Sequence, residues 1–244
     1  MGTPMISTRR FPPAERDALP TILYKYYPAK RIDIFGTWSA RFTRPSQFND
    51  TFDSYYATEM KSGSSTRLKF RNQLGIFCMT EDPDNHLMWV HYSDNHEGFV
   101  VGFKTNAPFL AQSGRELKRV KYESEPPEVL FAGEPPLLVC CYKAKEWDCE
   151  KEWRCIQKFK PSESRDVMFD PGSISEVILG SKISNQDLLA IVGFVEALGP
   201  EYNIPISRSK PDKARWAFTH ERVDIHVCPQ CSGDGYIETK HELG

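Results

Sequence analysis

Residues 75–103 read GIFCMTEDPDNHLMWVHYSDNHEGFVVGF. An apolar segment of β type, GIFCMTE (75–81), runs into an acidic turn. Asp84 or Asn85 is placed to cap a short helix. On that helix Leu87 and His91, and likewise Met88 and Tyr92, stand four apart and share a face. Gly98 then opens a second apolar segment, GFVVGF (98–103), which reads as a buried strand. A strand–turn–helix–strand unit of this kind holds polar side chains at the edge of a sheet, where a ligand can reach them.

Working outward, ILYKYY (22–27) is a strand ended by Pro28, with Tyr24 and Tyr26 on one face and Lys25 on the other. ARFTRPSQFNDTFD (40–53) begins as a strand and turns at Pro45 and at Asn49-Asp50. The polar stretch 56–74 is helical except around Ser62–Ser65. ELKRVKY (116–122) reads as an exposed strand, 125–136 as a Pro-rich loop, and LLVCCY (137–142) as a strand or a helix start. EWRCIQKF (152–159) alternates as a strand, and SEVILG (175–180) is another. Ser184 caps the helix NQDLLAIVGFVEALG, with Asp187 three residues on and Gly199-Pro200 closing it. YNIPISRS (202–209) and ERVDIHV (221–227) are late strands, and Pro205 favours a sheet edge for the first. The expected architecture is α+β: an arm over 1–20, one main domain over 21–220 with a mixed, mostly antiparallel sheet and short helices, and a Cys-containing tail over 221–244.

The 244 residues are 40% hydrophobic, enough for a core and against global disorder. A formal net charge of -2 weighs against sequence-independent duplex binding. The opening MGTPMISTRRFPP lacks the apolar centre of a secretory signal, and no apolar run reaches the roughly 18 residues of a membrane span. With seven cysteines at low density, the expectation is a cytoplasmic protein with reduced thiols and no membrane contact. The P-loop, GxGxxG, GxSxG and HExxH patterns are missing, which weighs against the enzyme classes they mark.

Glu150 and Glu152 lie two apart and, on a strand, project to one face with Arg154 beside them. Two such carboxylates serve as acid and base if their surroundings separate their pKa values; otherwise they form a solvated, salt-bridged face. Asn49, Asp50 and Asp53 form an acidic turn whose side chains either bind their own backbone or face the same cleft as Glu152. Trp89, His91, Tyr92 and His96 offer stacking surfaces and titratable rings, or pack against the sheet. Arg41 and Arg44 match phosphate geometry, or are simply solvated. Asp50, Asp53, Glu150 and Glu152 with a divalent cation would suit a metal-dependent nuclease, although their spacing is that of no nuclease motif. In CPQCSGDG (228–235), Cys228 and Cys231 have the spacing of half a zinc site. That segment resembles one CxxCxGxG repeat of DnaJ-type chaperones, without the second pair, so a zinc ion there would need a histidine or a second chain.

The order LYKYYP (23–28), RFTRPSQFNDTFD (41–53), FCMTEDPDNHLMWVHYSDNHEGFVVGF (77–103), VKY (120–122) and EKEWRC (150–155) resembles a bacterial family of unknown function whose members are similar to abortive phage-infection proteins. Where that family has Asn-Asp-Pro-Phe-Glu, this chain has Asn49-Asp50-Thr51-Phe52-Asp53, a shorter carboxylate. A looser resemblance is to ADP-ribosyltransferases. It implies NAD as substrate and Glu152 as the catalytic glutamate, holding the nicotinamide-ribose hydroxyl as an oxocarbenium-like centre forms. It further implies that Glu150 orients a protein or nucleic-acid acceptor, Tyr24 or Lys25 contacts the dinucleotide, Thr80 supports Glu152 and Tyr92 stacks on nicotinamide. A Tyr-Lys-Tyr run replaces the Arg or His usual on that family's first strand. The alternative is a non-enzymatic sensor or interaction module in a defence system, with the Cys-containing tail joining partners or self-associating.

Overall fold

The computed structural model describes residues 18–53, 72–126, 137–226 and 236–240. Its strands are β1 (Ile22–Tyr27), β2 (Ser39–Arg41), β3 (Leu74–Thr80), β4 (Phe99–Lys104), β5 (Arg115–Arg119), β6 (Lys121–Glu123) and β7 (Tyr142–Ala144), followed by β8 (Glu152–Lys158), β9 (Asp166–Met168), β10 (Ile174–Leu179), β11 (Ile206–Pro211), β12 (Phe218–His226) and β13 (Tyr236–Lys240). The helices are α1 (Asp33–Thr37), α2 (His86–Tyr92), α3 (Pro108–Ala111) and α4 (Asn185–Glu196). A nine-stranded sheet runs β13-β12-β11-β10-β4-β1-β3-β8-β5. Every neighbouring pair in it is antiparallel except β10 and β11, which run parallel and are joined through α4. Two small ladders, β2–β9 and β6–β7, flank it. The fold is α+β with a mixed, mostly antiparallel sheet.

Local chemistry accounts for the helices. Asn85 caps α2, its Oδ1 accepting from the amides of Leu87 at 3.0 Å and Met88 at 3.2 Å. Ser184 and Asp187 cap α4 reciprocally: the Asp187 amide donates to Ser184 Oγ, which donates to Asp187 Oδ2. Leu188, Ile191, Val192 and Val195 form the buried stripe of α4. The helix stops at Glu196, three residues before Gly199, which takes φ +97° in the turn beyond it. Pro205 does not force an edge, because it lies just before β11 and offers only its carbonyl, which accepts from the Val177 amide at 3.0 Å; β11 is therefore an interior strand. The strand read over 116–122 is interrupted at Val120, which is buried and donates to the Glu152 carbonyl. Residues 137–141 form a 3-10 turn ahead of β7.

The core lies on one face of the sheet, under α1, α3 and α4, where Phe42, Phe77, Phe103, Phe109 and Phe169 meet at centroid distances of 5.3–6.0 Å. The opposite face carries α2, whose Met88 and Trp89 pack on Tyr26, Val100 and Ile178. Strand β8 is buried on both faces from Glu152 to Ile156, so Glu152 and Arg154 do not lie on a solvated surface. No helix among the described residues is long and apolar enough to cross a membrane. β12 runs through residue 220 and pairs with β11, which brings the first residues of the expected tail into the sheet. Cys228 and Cys231, and most of 56–74, lie outside the described residues.

Candidate active site

The sheet is discontinuous at β3. β1 and β3 share a single registered pair, Tyr24 with Thr80. At the other end of the same edge, Thr43 bridges Ile76 through two 2.9 Å backbone bonds. Between these anchors the strands part, and a cavity of about 370 Å³ opens, within the size range of small-molecule sites. Tyr24, Lys25 and Tyr26 wall it on one side, Cys78 and Met79 on the other. Consecutive residues of one strand reach a single cavity only because the ladder is open there. Phe48 and Asn49 close one end, and Met88, His91 and Tyr92 of α2 cover it.

Glu150, Glu152 and Lys143 form the polar wall. Glu150 does not extend β8, as a strand reading of the pair requires. It ends a 3-10 turn, and Lys151 at φ +45° reverses the chain before Glu152 opens the strand. Both carboxylates still meet at one ammonium: Lys143 Nζ, from β7, donates to Glu150 Oε2 at 2.5 Å and to Glu152 Oε2 at 3.4 Å. Tyr92 OH donates to Glu150 Oε1 at 2.7 Å, and Asn49 lines the cavity with the same tyrosine.

Beneath this wall lies Arg154, wholly buried. Nη1 and Nη2 donate to Asp53 Oδ1 and Oδ2 at 2.8 and 2.6 Å. Nε and Nη2 donate to the two oxygens of Glu152 at 2.9 and 3.0 Å, and Nη1 donates to the Cys140 carbonyl at 2.6 Å. These bonds use all five N–H groups of the guanidinium, so Arg154 positions Glu152 and has no donor left for a ligand. Asp53, the last residue of the Asn-Asp-Thr-Phe-Asp turn, fastens that turn to β8.

Three carboxylates thus share two cations, and the surroundings separate them. Burial alone would raise Glu152, but Arg154 and then Lys143 outweigh it and hold the carboxyl at about 2. For Glu150 burial prevails: its carboxyl is raised, although Lys143 pulls it down, with the charge of Glu152 adding to the rise. Burial likewise opposes the charge on Lys143, but Glu152 and Glu150 keep it firmly protonated. Burial raises the Cys78 thiol, with the charge of Glu152 adding to the rise, which keeps it from acting as a thiolate.

Of the residues singled out in the sequence, Glu150, Glu152, Tyr24, Lys25, Asn49, His91 and Tyr92 line the cavity. Tyr24 OH also donates to Glu176 at 3.0 Å, and His91 stands exposed at the mouth, 6.5 Å from the Trp147 ring. Asp50, Thr80, Trp89 and Arg154 lie outside it. Asp50 accepts from the Phe52 amide in its own turn. Thr80 donates to the Glu150 carbonyl at 2.6 Å and is the ladder partner of Glu152 across β3 and β8. Trp89 is fully buried and donates to the Pro83 carbonyl, so it packs α2 on the sheet. Among the described residues, no three His, Cys, Asp or Glu side chains are grouped to hold a metal ion. Sequence reasoning missed Lys143, Cys78 and Tyr122, whose hydroxyl accepts from the Glu152 amide at 2.7 Å. No spacing marks Lys143 among the lysines around it.

A second groove of about 300 Å³ runs along the outside of α2, lined by Leu87, Glu146, Trp147 and Cys149. It shares Met88, His91, Tyr92 and Glu150 with the cavity, so Glu150 stands in the partition between them.

No curated protein and no solved structure matches this chain. Residues 88–155 match the model of a protein family of unknown function, DUF2971; the matched stretch begins in α2 and ends in β8, and so includes Tyr92, Lys143, Glu150, Glu152 and Arg154.

Proposed function

We propose that this protein is an enzyme that opens a glycosidic bond to ribose, with NAD as the substrate to try first and an ADP-ribosyltransferase-like transfer as the reaction. The observation that carries the reading is the pair of carboxyls facing one cavity and displaced in opposite directions, Glu152 down and Glu150 up. Such a separation assigns acid–base roles. The cavity suits one nicotinamide-ribose moiety between Tyr24 and Tyr92. Glu152, held ionised beneath it, stabilises positive charge at the ribose C1′ as the bond to nicotinamide breaks and the bonding pair leaves with nicotinamide. Glu150 has two carboxylate lone pairs not used by Tyr92 or Lys143. It accepts the proton of the incoming hydroxyl or amine as the new bond to C1′ forms. A base raised toward neutrality is the more effective one. The setting in phage defence rests on the motif order alone, and the convergence of polar groups favours the enzyme over a purely non-enzymatic module.

The test is nicotinamide release from NAD by the purified protein. Glu150→Gln is expected to abolish release with a smaller fall in melting temperature than Glu152→Gln, because Lys143 keeps Glu152 as its anion, whereas Glu152→Gln takes an anion from both Arg154 and Lys143. Absence of NAD binding and turnover in the wild type, with protein and nucleic-acid acceptors supplied, would overturn the reading.

A further inference from the structure

On the face of the sheet opposite the cavity, a second group of charges lies where β2 continues toward β3. Arg41 pairs with Asp166 across the β2–β9 ladder, and the Phe42 amide donates to the Arg165 carbonyl at 2.8 Å, so the ladder extends by one more position. Strand alternation then sends Thr43 to the cavity side and sends Phe42 and Arg44 to the other. Arg44 becomes a diagonal cross-strand neighbour of Arg165. Arg165 is 3% exposed; its two Nη atoms donate to the carbonyls of Leu74 and Asn72, and its guanidinium lies 4.9 Å from the Phe159 centroid. Its Nε is buried and unpartnered, and so is Nε of Arg44. Among the described residues, Asp166 is taken by Arg41 at 2.9 Å, Glu163 accepts from the Lys160 amide, and Arg44 has no ion-pair partner.

Two guanidiniums at diagonally neighbouring strand positions, each with a buried N–H unused, repel one another unless an anion lies between them. We propose that Arg44 and Arg165 form an anion site that takes a phosphate group, separate from the cavity. Guanidinium groups match phosphate oxygens in both charge and fork geometry. The group is supplied either by free phosphate or by the phosphate of a nucleotide. Burial, and then the like charges of Arg44 and Arg41, weaken the hold of Arg165 on its proton.

The experiment is thermal unfolding titrated with inorganic phosphate and, separately, with adenosine 5′-monophosphate, at ionic strength held constant with chloride. The wild type is expected to show a saturable rise in melting temperature. In Arg44→Ala the midpoint concentration moves up at least tenfold, while Arg44→Lys keeps part of the response. Without phosphate, Arg44→Ala melts no lower than the wild type, because a repulsion has been removed. A tighter midpoint for the nucleotide identifies a nucleotide phosphate; equal midpoints identify phosphate itself. A wild type without a saturable response, or an Arg44→Ala protein that responds as the wild type does, overturns the proposal. Arg44 does not line the cavity, so neither outcome depends on the reaction proposed there.

Discussion

Replacing Asp53 by alanine removes one partner of a buried ion pair and leaves the other in place. Asp53 is 3% exposed and Arg154 is 0% exposed, and two parallel bonds of 2.8 and 2.6 Å join them. After the substitution Arg154 keeps Glu152 and the Cys140 carbonyl, but two of its N–H directions point into an empty, water-poor space. Breaking a buried pair in this way costs about 3–5 kcal/mol, because two donors of a desolvated guanidinium lose their acceptors. For a chain of this size each kcal/mol moves the melting temperature by roughly 2–4 °C, so a fall of about 6–20 °C is expected. Asp53→Asn, which keeps the shape and one acceptor, is expected to lose about half as much. The assay is urea unfolding followed by circular dichroism, with a thermal scan beside it. The loss also reaches the cavity, since Asp53 anchors the turn that carries Asn49 into the cavity wall. A cost below roughly 1 kcal/mol, the range of an exposed salt bridge, would refute the argument that this network is dry and holds Glu152 in place.

Acid should weaken the fold through Glu152. Its folded carboxyl, at about 2, lies below the ordinary value of 4.5, so its contribution is present above 4.5 and is lost as pH falls from 4.5 through 2. Glu152→Gln should flatten the melting-temperature profile over that window, and an unchanged slope would count against it. His220 behaves in the opposite sense. Its bond to Asp84, 2.8 Å long, raises the imidazole against the effect of burial. The contribution is complete below 6.5 and lost as pH rises through the folded value. NMR titration of the ring should give a lower midpoint in Asp84→Asn. Two glycines should respond oppositely to alanine. A Cβ on Gly98 would sit 2.1 Å from the Tyr27 carbonyl oxygen, a backbone atom that cannot give way, so at least about 1–3 kcal/mol of stability is lost. A Cβ on Gly193, inside α4, meets nothing within 4 Å, and helix propensity should add about 0.5–1 kcal/mol. Chemical denaturation measures both, and equal effects would refute the distinction.

The sequence by itself determined the elements whose signals are local. β1 is bounded as Pro28 requires, α2 begins at its Asn85 cap, α4 begins at its Ser184–Asp187 cap, and the apolar runs of β3, β4, β8 and β10 lie within a residue or so of their reading. Caps, prolines and apolar runs act within a few residues and can be read along the chain. The Glu150–Glu152 spacing was visible for the same reason, but its surroundings were not. A charged alternation reads as a solvated face, yet β8 lies inside the sheet with Arg154 fully buried, and its partner Asp53 is 101 residues away. Tertiary structure alone decided that Lys143 bridges the two carboxylates and that β1 and β3 part after one registered pair. Lys143 is only seven and nine residues from its two partners, but the 3-10 turn and the reversal at Lys151 that bring them together depend on where β7 and β8 are held. The energy of burying one charge against another depends on where the sheet brings the two, and no local pattern in the chain encodes that position.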